Sequence, residues 1–205
     1  MEFNCESPEA NIAWDDVMLA REEETFRLWE SPVPFVVLGR SGRVSEEVYA
    51  EAGVPVLRRS SGGGTVLQGP GCLNYTFVLS MARRPELLSV ADSYCVLLRL
   101  LVRMLGLPGL SISGSDILLN GKKVSGNAQR RTRGWLLHHG TLLYEAMDLS
   151  AVSRVLREPV RRPEHRGERT HAEFLTTLPF AREALVGLLT NEPFEGLREG
   201  RNICS

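Results

Sequence analysis

The segment 58–71 constrains this chain most, because it places a run of glycines between two apolar stretches that predict strands. It reads Arg58-Arg59-Ser60-Ser61-Gly62-Gly63-Gly64-Thr65-Val66-Leu67-Gln68-Gly69-Pro70-Gly71. Glycine lacks Cβ, so its backbone adopts positive φ values and approaches a ligand closely. Successive exposed N–H groups form an anion-binding concavity, and guanidinium groups bind phosphate or carboxylate. The segment therefore indicates a loop that binds a phosphorylated or acyl-adenylate-like ligand.

This loop matches neither of the two common nucleotide-binding motifs. It lacks the lysine that follows the second glycine of a P-loop, and Leu67 stands where a dinucleotide-binding fingerprint has its third glycine. A tight turn or a β-bulge between two strands is the structural alternative. A hairpin rarely needs three glycines after Arg-Arg-Ser-Ser, so the pattern favours a ligand-binding loop.

Composition and charge narrow the class of protein. With 205 residues, 43% hydrophobic and 24% charged, the chain is typical of a globular protein that builds one core. Its formal net charge of -1 argues against nucleic acid as a partner, because phosphate neutralisation needs a basic face. The N-terminus shows no signal-peptide pattern and no apolar run reaches bilayer length, so we expect no membrane partner. The four cysteines lack metal-ligand spacing, and a reducing cytoplasm is the expected location.

Periodicity along the chain predicts an α+β protein. Helices are predicted over 10–29, 45–52, 89–105, 148–157 and 171–190. Strands are predicted over 35–39, 54–57, 74–79, 116–119, 122–125 and 135–144, the last broken by a glycine. Asn120-Gly121 supplies the positive φ values of a type I′ turn and predicts a hairpin. Since no linker or repeat divides the sequence, we expect one domain over 1–205 with a mixed, largely antiparallel sheet flanked by helices.

Two pairs of neighbouring polar residues lie on these predicted strands. Side chains alternate between the faces of a strand, so only one of Lys122 and Lys123 faces a site, and the residues alone leave open which. A turn lysine is also commonly solvated. His138 and His139 face opposite ways and are poor candidates for holding one metal together. One of them is expected to line a pocket while the other packs or is exposed.

Asp116 and Cys72 are further candidates, each with a structural alternative. Asp116 at a strand start offers an oxygen ligand for magnesium, or serves as a turn residue. Cys72 follows Gly69-Pro70-Gly71, and as a nucleophile it would need a nearby base or positive field. A single cysteine flanked by apolar residues is more often a small core residue.

Three segments, taken together, resemble the lipoate–protein ligase family within the biotin/lipoate transferase superfamily. They are the glycine loop 58–66, the Ser115-Asp116-Ile117 segment with 121–130, and His138-His139-Gly140-Thr141-Leu142-Leu143. The resemblance covers residues 10–178. It implies a mixed sheet flanked by helices, related to class II synthetase catalytic domains. It also implies that lipoate or octanoate is activated with Mg-ATP to an acyl-adenylate, lipoyl-AMP for lipoate, and then passed to a lysine of a lipoyl carrier domain.

The same resemblance assigns roles by position. It selects Lys123 over Lys122 as the catalytic group that holds the acyl carbonyl and α-phosphate oxygens. It places the nucleotide against Arg59, Gly64, Thr65, Val66 and Leu67, and places Asp116 near the phosphates and Mg²⁺. The acyl tunnel would be lined by Gly63, Gly64, His139 and Gly140. Additional site candidates are Arg58, Ser61, Asn74, Ser125, Gly126, Arg130 and Cys72.

Carrier proteins follow from the family as well. The expected partners are lipoyl domains of 2-oxoacid dehydrogenase complexes or a glycine cleavage H-type protein. Only the segment 192–205 stands where many ligases have a C-terminal accessory domain. We therefore expect this domain to be absent here and a separate accessory protein to be a further candidate partner.

The chain also departs from the ligase pattern. Gln68-Gly69-Pro70-Gly71-Cys72 replaces a His-Asp pair, and its Gly-Pro-Gly is similar to the octanoyltransferases of the superfamily. Those enzymes use a cysteine nucleophile, but the matching positions 111–113 and 157–159 contain none. Ser115 replaces an asparagine. The alternatives to an ATP-dependent ligase are an ATP-independent octanoyl or lipoyl transferase and a non-catalytic module that binds lipoate or an acyl-adenylate.

Overall fold

The structure, a computed structural model, describes residues 4–191 together with Phe194 and Leu197. The strands are β1 (Thr25–Trp29), β2 (Phe35–Leu38), β3 (Val56–Arg58), β4 (Val66–Gln68), β5 (Cys72–Ser80), β6 (Leu110–Ser113), β7 (Asp116–Leu119), β8 (Lys122–Arg131) and β9 (Trp135–Leu143). The helices are α1 (Pro8–Ala20), α2 (Val44–Glu47), α3 (Val90–Leu105), α4 (Leu149–Val155), α5 (His171–Phe174) and α6 (Arg182–Thr190). Most of the predicted C-terminal tail lies outside the described residues.

Two sheets organise these elements. The larger is six-stranded in the order β1-β5-β9-β8-β7-β6 and antiparallel throughout, whereas a three-stranded sheet has the order β3-β2-β4. In the smaller sheet β2 pairs with β3 in parallel and with β4 antiparallel. The prediction of an α+β fold with a mixed, largely antiparallel sheet flanked by helices is confirmed.

The main core lies between the six-stranded sheet and helices α3 and α6. Leu97, Leu101 and Leu185 pack there against fully buried Tyr75 and Phe77 of β5. Helix α3 begins where the Ser89 hydroxyl accepts the N–H of Asp92 and ends at Gly106 with φ 57°. The other face of the sheet is covered by α1, whose Met18 and Leu19 pack on Val78 and Leu137. The remaining space on that face holds the site described below.

The predicted helix over 10–29 is wrong in its second half. Helix α1 ends at Ala20, Glu22 has a φ of 53°, and β1 then pairs antiparallel with β5 from Thr25↔Val78 to Trp29↔Asn74. Phe26 and Leu28 of β1 are buried in the main core. Pairing with β5 therefore overrides the helical spacing, since aromatic and β-branched residues suit a half-buried sheet edge.

Other boundaries also differ from the prediction. The helix expected over 171–190 is two short helices, because residues before Pro179 are extended and the N–H of Leu178 donates to Leu143 O at 2.8 Å. The helix over 45–52 divides into α2 and a 3-10 turn at Ala50–Ala52. Strand β6 was not predicted, and β9 runs unbroken through Gly140. The hairpin between β7 and β8 is confirmed, with φ values of 50° at Asn120 and 79° at Gly121.

The glycine loop is not a hairpin turn. Strands β3 and β4 lie on opposite sides of β2, so residues 59–65 must cross over the end of β2. Arg40 N–H, just beyond that end, donates to Ser61 O at 2.9 Å. The crossing carries the loop onto the face of the large sheet that α1 partly covers.

No helix of the described residues combines the length and apolar character needed to cross a bilayer.

Candidate functional site

The glycine loop is organised around the Arg59 side chain. Its Nε donates to Ser61 Oγ at 3.0 Å, and its Nη2 donates to Gly62 O at 2.6 Å and to Gly64 O at 2.8 Å. Burial lowers the pKa of Arg59 to about 10, so the guanidinium stays charged at neutral pH. The loop carbonyls thus face a fixed positive charge. Gly63, with φ 87°, adopts a conformation that residues with a Cβ rarely enter.

A narrow inner cavity of about 150 Å³ lies between this loop, α1 and the large sheet. Its apolar end is formed by Ile12, Trp29 and Val37, and its opposite end by Asp116 and Lys123. The four predicted acyl-tunnel residues Gly63, Gly64, His139 and Gly140 all line it, as do Arg59, Thr65, Val66, Asn74 and Gly126. The structure therefore brings most of the predicted site residues around one cavity.

A larger outer cavity of about 980 Å³ adjoins the inner one. Its basic lining residues outnumber its carboxylates, the basic set being Lys123, Arg157, Arg161, His165, Arg166 and His171, and the acidic set Glu47, Asp116 and Glu164. The two cavities share Gly64, Thr65, Ser115, Asp116 and Lys123. An elongated ligand with an apolar chain and a polyanionic end would fill both.

Lys123 lies at the junction of the two cavities. Its Nζ pairs with Asp116 Oδ1 at 2.9 Å, and His165 Nε2 donates to Asp116 Oδ2 at 2.9 Å. Asp116 is buried, whereas the neighbouring Lys122 is exposed and lines neither cavity. Of the two adjacent lysines on β8, Lys123 is therefore the one whose side chain faces the cavities. The ion pair holds its ammonium group at the point where the apolar and basic spaces meet.

His165 was missed by the sequence analysis. It lies in a basic segment over 161–166 that showed no spacing relation to Asp116, from which it is separated by 49 positions. Its ring packs on Phe174, with centroids 5.7 Å apart, and the guanidinium groups of Arg166 and Arg169 also lie over that ring. This packing places the segment across the outer cavity. The basic residues around His165 were the only indication in the sequence. The contact of this segment with Asp116 could not be predicted from the sequence.

His139 is the second polar centre of the inner cavity. Its Nδ1 donates to Asp15 Oδ2 at 2.7 Å, and its Nε2 lies 2.6 Å from Ser61 Oγ. Asp15 Oδ1 also accepts from Thr76 Oγ1 at 3.0 Å. This chain ties α1, the sheet and the glycine loop together and fixes the imidazole. Asp15 was also missed, because within a helical pattern an aspartate beside Asp16 resembles any solvated residue.

His138 faces the opposite side of the sheet, as alternation predicts. It is fully buried, and its ring packs against Tyr94 with centroids 5.5 Å apart. Burial lowers the pKa of His138 to about 3, so it is neutral at physiological pH. The expectation that one histidine lines a pocket and the other packs is therefore met, with His139 in the pocket.

The remaining candidates lie off the inner cavity. Arg58 donates to the carbonyls of Gly39, Arg40 and Gly42 and so supports the turn after β2. Arg130 Nη1 pairs with Asp16 Oδ1 at 2.5 Å. Leu67 and Ser125 line a third, more apolar cavity of about 110 Å³ beside Lys123. Ser61 is buried behind the loop and acts on the cavity through His139.

The residues around Asp116 do not by themselves form a resident metal site. Both carboxylate oxygens of Asp116 are already paired, with Lys123 and His165. Within the described part of the chain, no group of three or more His, Cys, Asp or Glu side chains converges as a metal site would require. Mg²⁺ is commonly bound through substrate phosphates with one or two carboxylates. A magnesium ion at this junction would therefore need further ligands, such as the phosphate oxygens of a bound substrate.

Cys72 lies in the core. It is fully buried and lines none of the three cavities. Burial, followed by the nearby Glu30 carboxylate, raises the pKa of the Cys72 thiol to about 12. The thiol is therefore protonated at neutral pH, and a protonated thiol is a weak nucleophile. These properties are those of a core cysteine.

We expect Cys72→Ala to retain most of the acyl transfer activity that the resemblance to lipoate–protein ligases implies. The substitution removes a buried sulfur and leaves a small cavity, so the free energy of unfolding should fall by about 1 kcal/mol. Transfer assays and chemical denaturation measure the two effects. Native-state alkylation followed by mass spectrometry should label the half-buried Cys5 before Cys72. An acyl thioester trapped on Cys72 would contradict this prediction.

Gly126→Ala should displace Lys123 while keeping it in the chain. A Cβ at Gly126 would lie 2.7 Å from Lys123 Nζ and 2.9 Å from its Cε, so the flexible side chain must move away from Asp116. A misplacement of about 1 Å can reduce an enzymatic rate by about a hundredfold, and we expect a loss of that order. Gly187→Ala on α6, where a Cβ meets nothing within 4 Å, is the matched control. Wild-type turnover by Gly126→Ala would show that the Lys123 position is not critical.

The chain resembles known proteins in both sequence and fold. The family model for the lipoyl protein ligase A/B catalytic domain matches residues 7–179. The chain belongs to this family. It is 32% identical over 179 residues to an inferred lipoate-protein ligase A of Aeropyrum pernix, covering 82% of this chain and 65% of that protein. It is also 31% identical over 202 residues to the octanoyltransferase LipM of Kyrpidia tusciae, covering 82% and 73% respectively.

Solved structures support the fold of this family member. A bi-partite lipoate protein ligase of Thermoplasma acidophilum, solved in a study of that ligase and its E2 lipoyl domain, superposes with a TM-score of 0.78. The alignment has 21% identity and covers 97% of this chain and 82% of the other. The resemblance to lipoate–protein ligases is thus confirmed. Since the relatives include ligases and octanoyltransferases, and the chain spans just under two-thirds of the A. pernix protein, membership alone does not define the acyl donor.

Proposed function

We propose that this family member activates lipoate with ATP to an acyl-adenylate and transfers the acyl group to a lysine of a lipoyl carrier domain. One observation carries the proposal: Lys123 Nζ lies where a narrow cavity with an apolar end meets a large basic cavity. The narrow cavity suits an acyl chain and the basic one suits phosphates. The reacting carboxylate would then lie beside the lysine.

The chemistry of both half-reactions requires a cation at that position. In the first, a carboxylate oxygen attacks the α-phosphorus and pyrophosphate leaves. In the second, the neutral amine of the carrier lysine attacks the acyl carbonyl, an amide forms, AMP leaves and the amine loses a proton. Negative charge develops on the phosphoryl oxygens and then on the carbonyl oxygen. A preorganised Lys123 ammonium in a partly buried site stabilises both better than water does.

A second candidate function is ATP-independent octanoyl transfer through a thioester. It is favoured by the relative named as an octanoyltransferase and by Gly69-Pro70-Gly71. Against it, none of the cysteines in the described part of the chain lines the inner or outer cavity, and burial raises the pKa of Cys72 to about 12. A thioester mechanism needs a thiolate within reach of the acyl carbonyl. The residues present therefore support the adenylate route better.

Lipoyl domains are the carriers that we propose, with a separate accessory protein as a further partner. The T. acidophilum ligase described above is bi-partite, and its study included an E2 lipoyl domain. Another relative, from Kyrpidia tusciae, is named an octanoyl-[GcvH]:protein N-octanoyltransferase. Both a dehydrogenase lipoyl domain and an H-type protein should therefore be tested as acceptors.

The deciding experiment incubates the purified chain with lipoate, Mg-ATP and an unmodified lipoyl domain. Carrier mass and pyrophosphate release report the two half-reactions, and preformed lipoyl-AMP is tested in parallel. We expect carrier modification from lipoyl-AMP, and from ATP either directly or once an accessory protein is added. Modification by an octanoyl-carrier donor without ATP would instead support the transferase. Ligand binding without any carrier modification would indicate a binding module.

A further inference from the structure

We propose that the buried amide pair Gln68–Asn74 contacts the far end of the acyl chain and makes the inner cavity favour a lipoyl group over an octanoyl group. This inference rests on the proposed function, since it takes the inner cavity as the acyl site. The inference names the residues that would distinguish a lipoyl from an octanoyl group, which have the same number of carbons. Neither residue was assigned this role by the sequence motifs.

The amide pair is buried and closed on itself. Gln68 Nε2 donates to Asn74 Oδ1 at 2.8 Å, and Asn74 Nδ2 donates to Gln68 Oε1 at 2.8 Å. Gln68 is 4% exposed and Asn74 is 6% exposed, yet both line the inner cavity. Buried amides at the wall of a partly apolar cavity are unusual unless their remaining polar groups have partners.

Some donors and acceptors of the Gln68 and Asn74 side-chain amides have no hydrogen-bond partner within the pair. Asn74 uses its second N–H on Cys72 O at 3.2 Å. Gln68 has two N–H donors and an oxygen with two lone pairs. Among the described residues, only Asn74 pairs with its side-chain amide, so one N–H and one lone pair of Gln68 remain. A buried donor left without a partner is unfavourable, because it has lost its hydrogen bonds to water.

The pair lies at the end of the cavity away from Lys123. Asn74 on β5 is paired with Thr141 on β9. Strand β9 in turn pairs with β8, the strand that carries Lys123. Two strand spacings separate β5 from β8, which amounts to about 10 Å. Asn74 is also paired with Trp29, part of the apolar end wall. A medium-length acyl chain with its carboxylate at Lys123 would therefore end beside the amide pair.

The two candidate chains differ in what they offer Gln68. A lipoyl group ends in a dithiolane, whose polarisable sulfurs are weak hydrogen-bond acceptors. An octanoyl group ends in methylene and methyl groups, which displace water from the amide without replacing its hydrogen bond. A site that presents a buried donor discriminates against the analogue lacking an acceptor. The amide pair thus favours the sulfur-containing chain.

A simpler role for the pair is to tie β4 to β5. That role predicts lower stability on substitution and no change in the choice of acyl chain. Selectivity, measured as the ratio of two affinities within the same variant, separates the two roles. Gln68→Met alone leaves Asn74 buried with an unpaired amide, so the variant that decides is Gln68→Leu/Asn74→Leu. Replacing both partners with apolar groups of similar shape can be nearly neutral for stability.

Calorimetric titration of the purified chain with lipoate and with octanoate tests the proposal. We expect wild type to bind lipoate about tenfold more tightly, and the double variant to bind the two acids with similar affinity. Gly187→Ala on α6, which lines none of the three cavities and where a Cβ meets nothing within 4 Å, should keep the wild-type ratio. An unchanged ratio in the double variant, or no preference or no binding in wild type, would overturn the inference.

The same titration separates this inference from the proposed function. Binding is measured without ATP and without a carrier, so failure of carrier modification leaves the affinity ratio measurable. If lipoate is preferred through Gln68 but no carrier is modified, the proposed activity is wrong and the selectivity inference stands. If carriers are modified but the ratio of the two affinities is the same in wild type and the double variant, the selectivity inference is wrong and the activity stands.

Discussion

We expect Lys123→Ala to reduce the proposed carrier acylation by about a thousandfold, which would be the largest effect of a single substitution. The ammonium group is the cation that lies at the junction of the two cavities and pairs with the buried Asp116 at 2.9 Å. Removing it leaves the developing negative charge of both half-reactions unneutralised. Transfer from preformed lipoyl-AMP, followed by carrier mass, measures the second half-reaction alone.

Lys122→Ala is the matched control for this prediction. The two lysines are adjacent, but Lys122 is exposed and lines neither cavity, so its removal should leave turnover unchanged. Thermal unfolding of Lys123→Ala checks that the loss of the ion pair to Asp116 has not unfolded the chain. Normal transfer by Lys123→Ala together with loss of transfer in Cys72→Ala would refute the ligase assignment. Lys123→Arg keeps the charge but changes its shape, and ligand binding without carrier modification in both wild type and this variant would favour a role in binding alone.

Gly39→Ala should disrupt the glycine loop from outside it. A Cβ at Gly39 would lie 2.0 Å from Gly63 O and 3.1 Å from Gly63 C, and these are backbone atoms that cannot rotate away. The loop must shift as a whole. We expect the free energy of unfolding to fall by about 2–3 kcal/mol, as is typical of overpacking. Acyl transfer should fall by about a hundredfold, because a shift of about 1 Å misplaces the reacting groups.

Gly62→Ala serves as the control within the loop. A Cβ at Gly62 meets nothing within 4 Å, its φ is not positive, and it does not line the inner cavity. Its free energy of unfolding should stay within about 0.5 kcal/mol of wild type, as for most surface substitutions. Denaturant titration and lipoate binding measure both variants. If Gly39→Ala proves as stable and as active as Gly62→Ala, the close contact between β2 and the loop is not important.

Much of the candidate site was accessible from local patterns. The glycine loop and its arginine, the hairpin that presents Lys123, and the alternation that separates His138 from His139 all depend on residues close together in the chain. The structure places Arg59, Lys123 and His139 around one cavity. The roles assigned to them remain predictions. Cys72 and Arg58 resembled site residues in the sequence, but Cys72 lies in the core and the exposed Arg58 supports the turn after β2.

The incorrect secondary-structure predictions have a common cause, which is pairing between residues far apart in the sequence. Strand β1 was predicted as the end of a helix, but it pairs with β5 through residues about 50 positions away, such as Thr25↔Val78. Local propensity does not include that pairing. The extended segment before Pro179 is likewise held by β9, through the N–H of Leu178. In both places, contacts with the sheet select the conformation.

The sequence by itself determined the fold class, and it predicted the glycine loop and the residue types that line the candidate site. These features depend on backbone preferences and side-chain alternation over a few residues. Only the tertiary structure decided which distant residues contact the glycine loop and the site side chains. Asp15 meets His139 across 124 positions, and Gly39 meets Gly63 because the glycine loop crosses the end of β2. Such contacts arise when distant segments pack together, and no spacing along the chain encodes them.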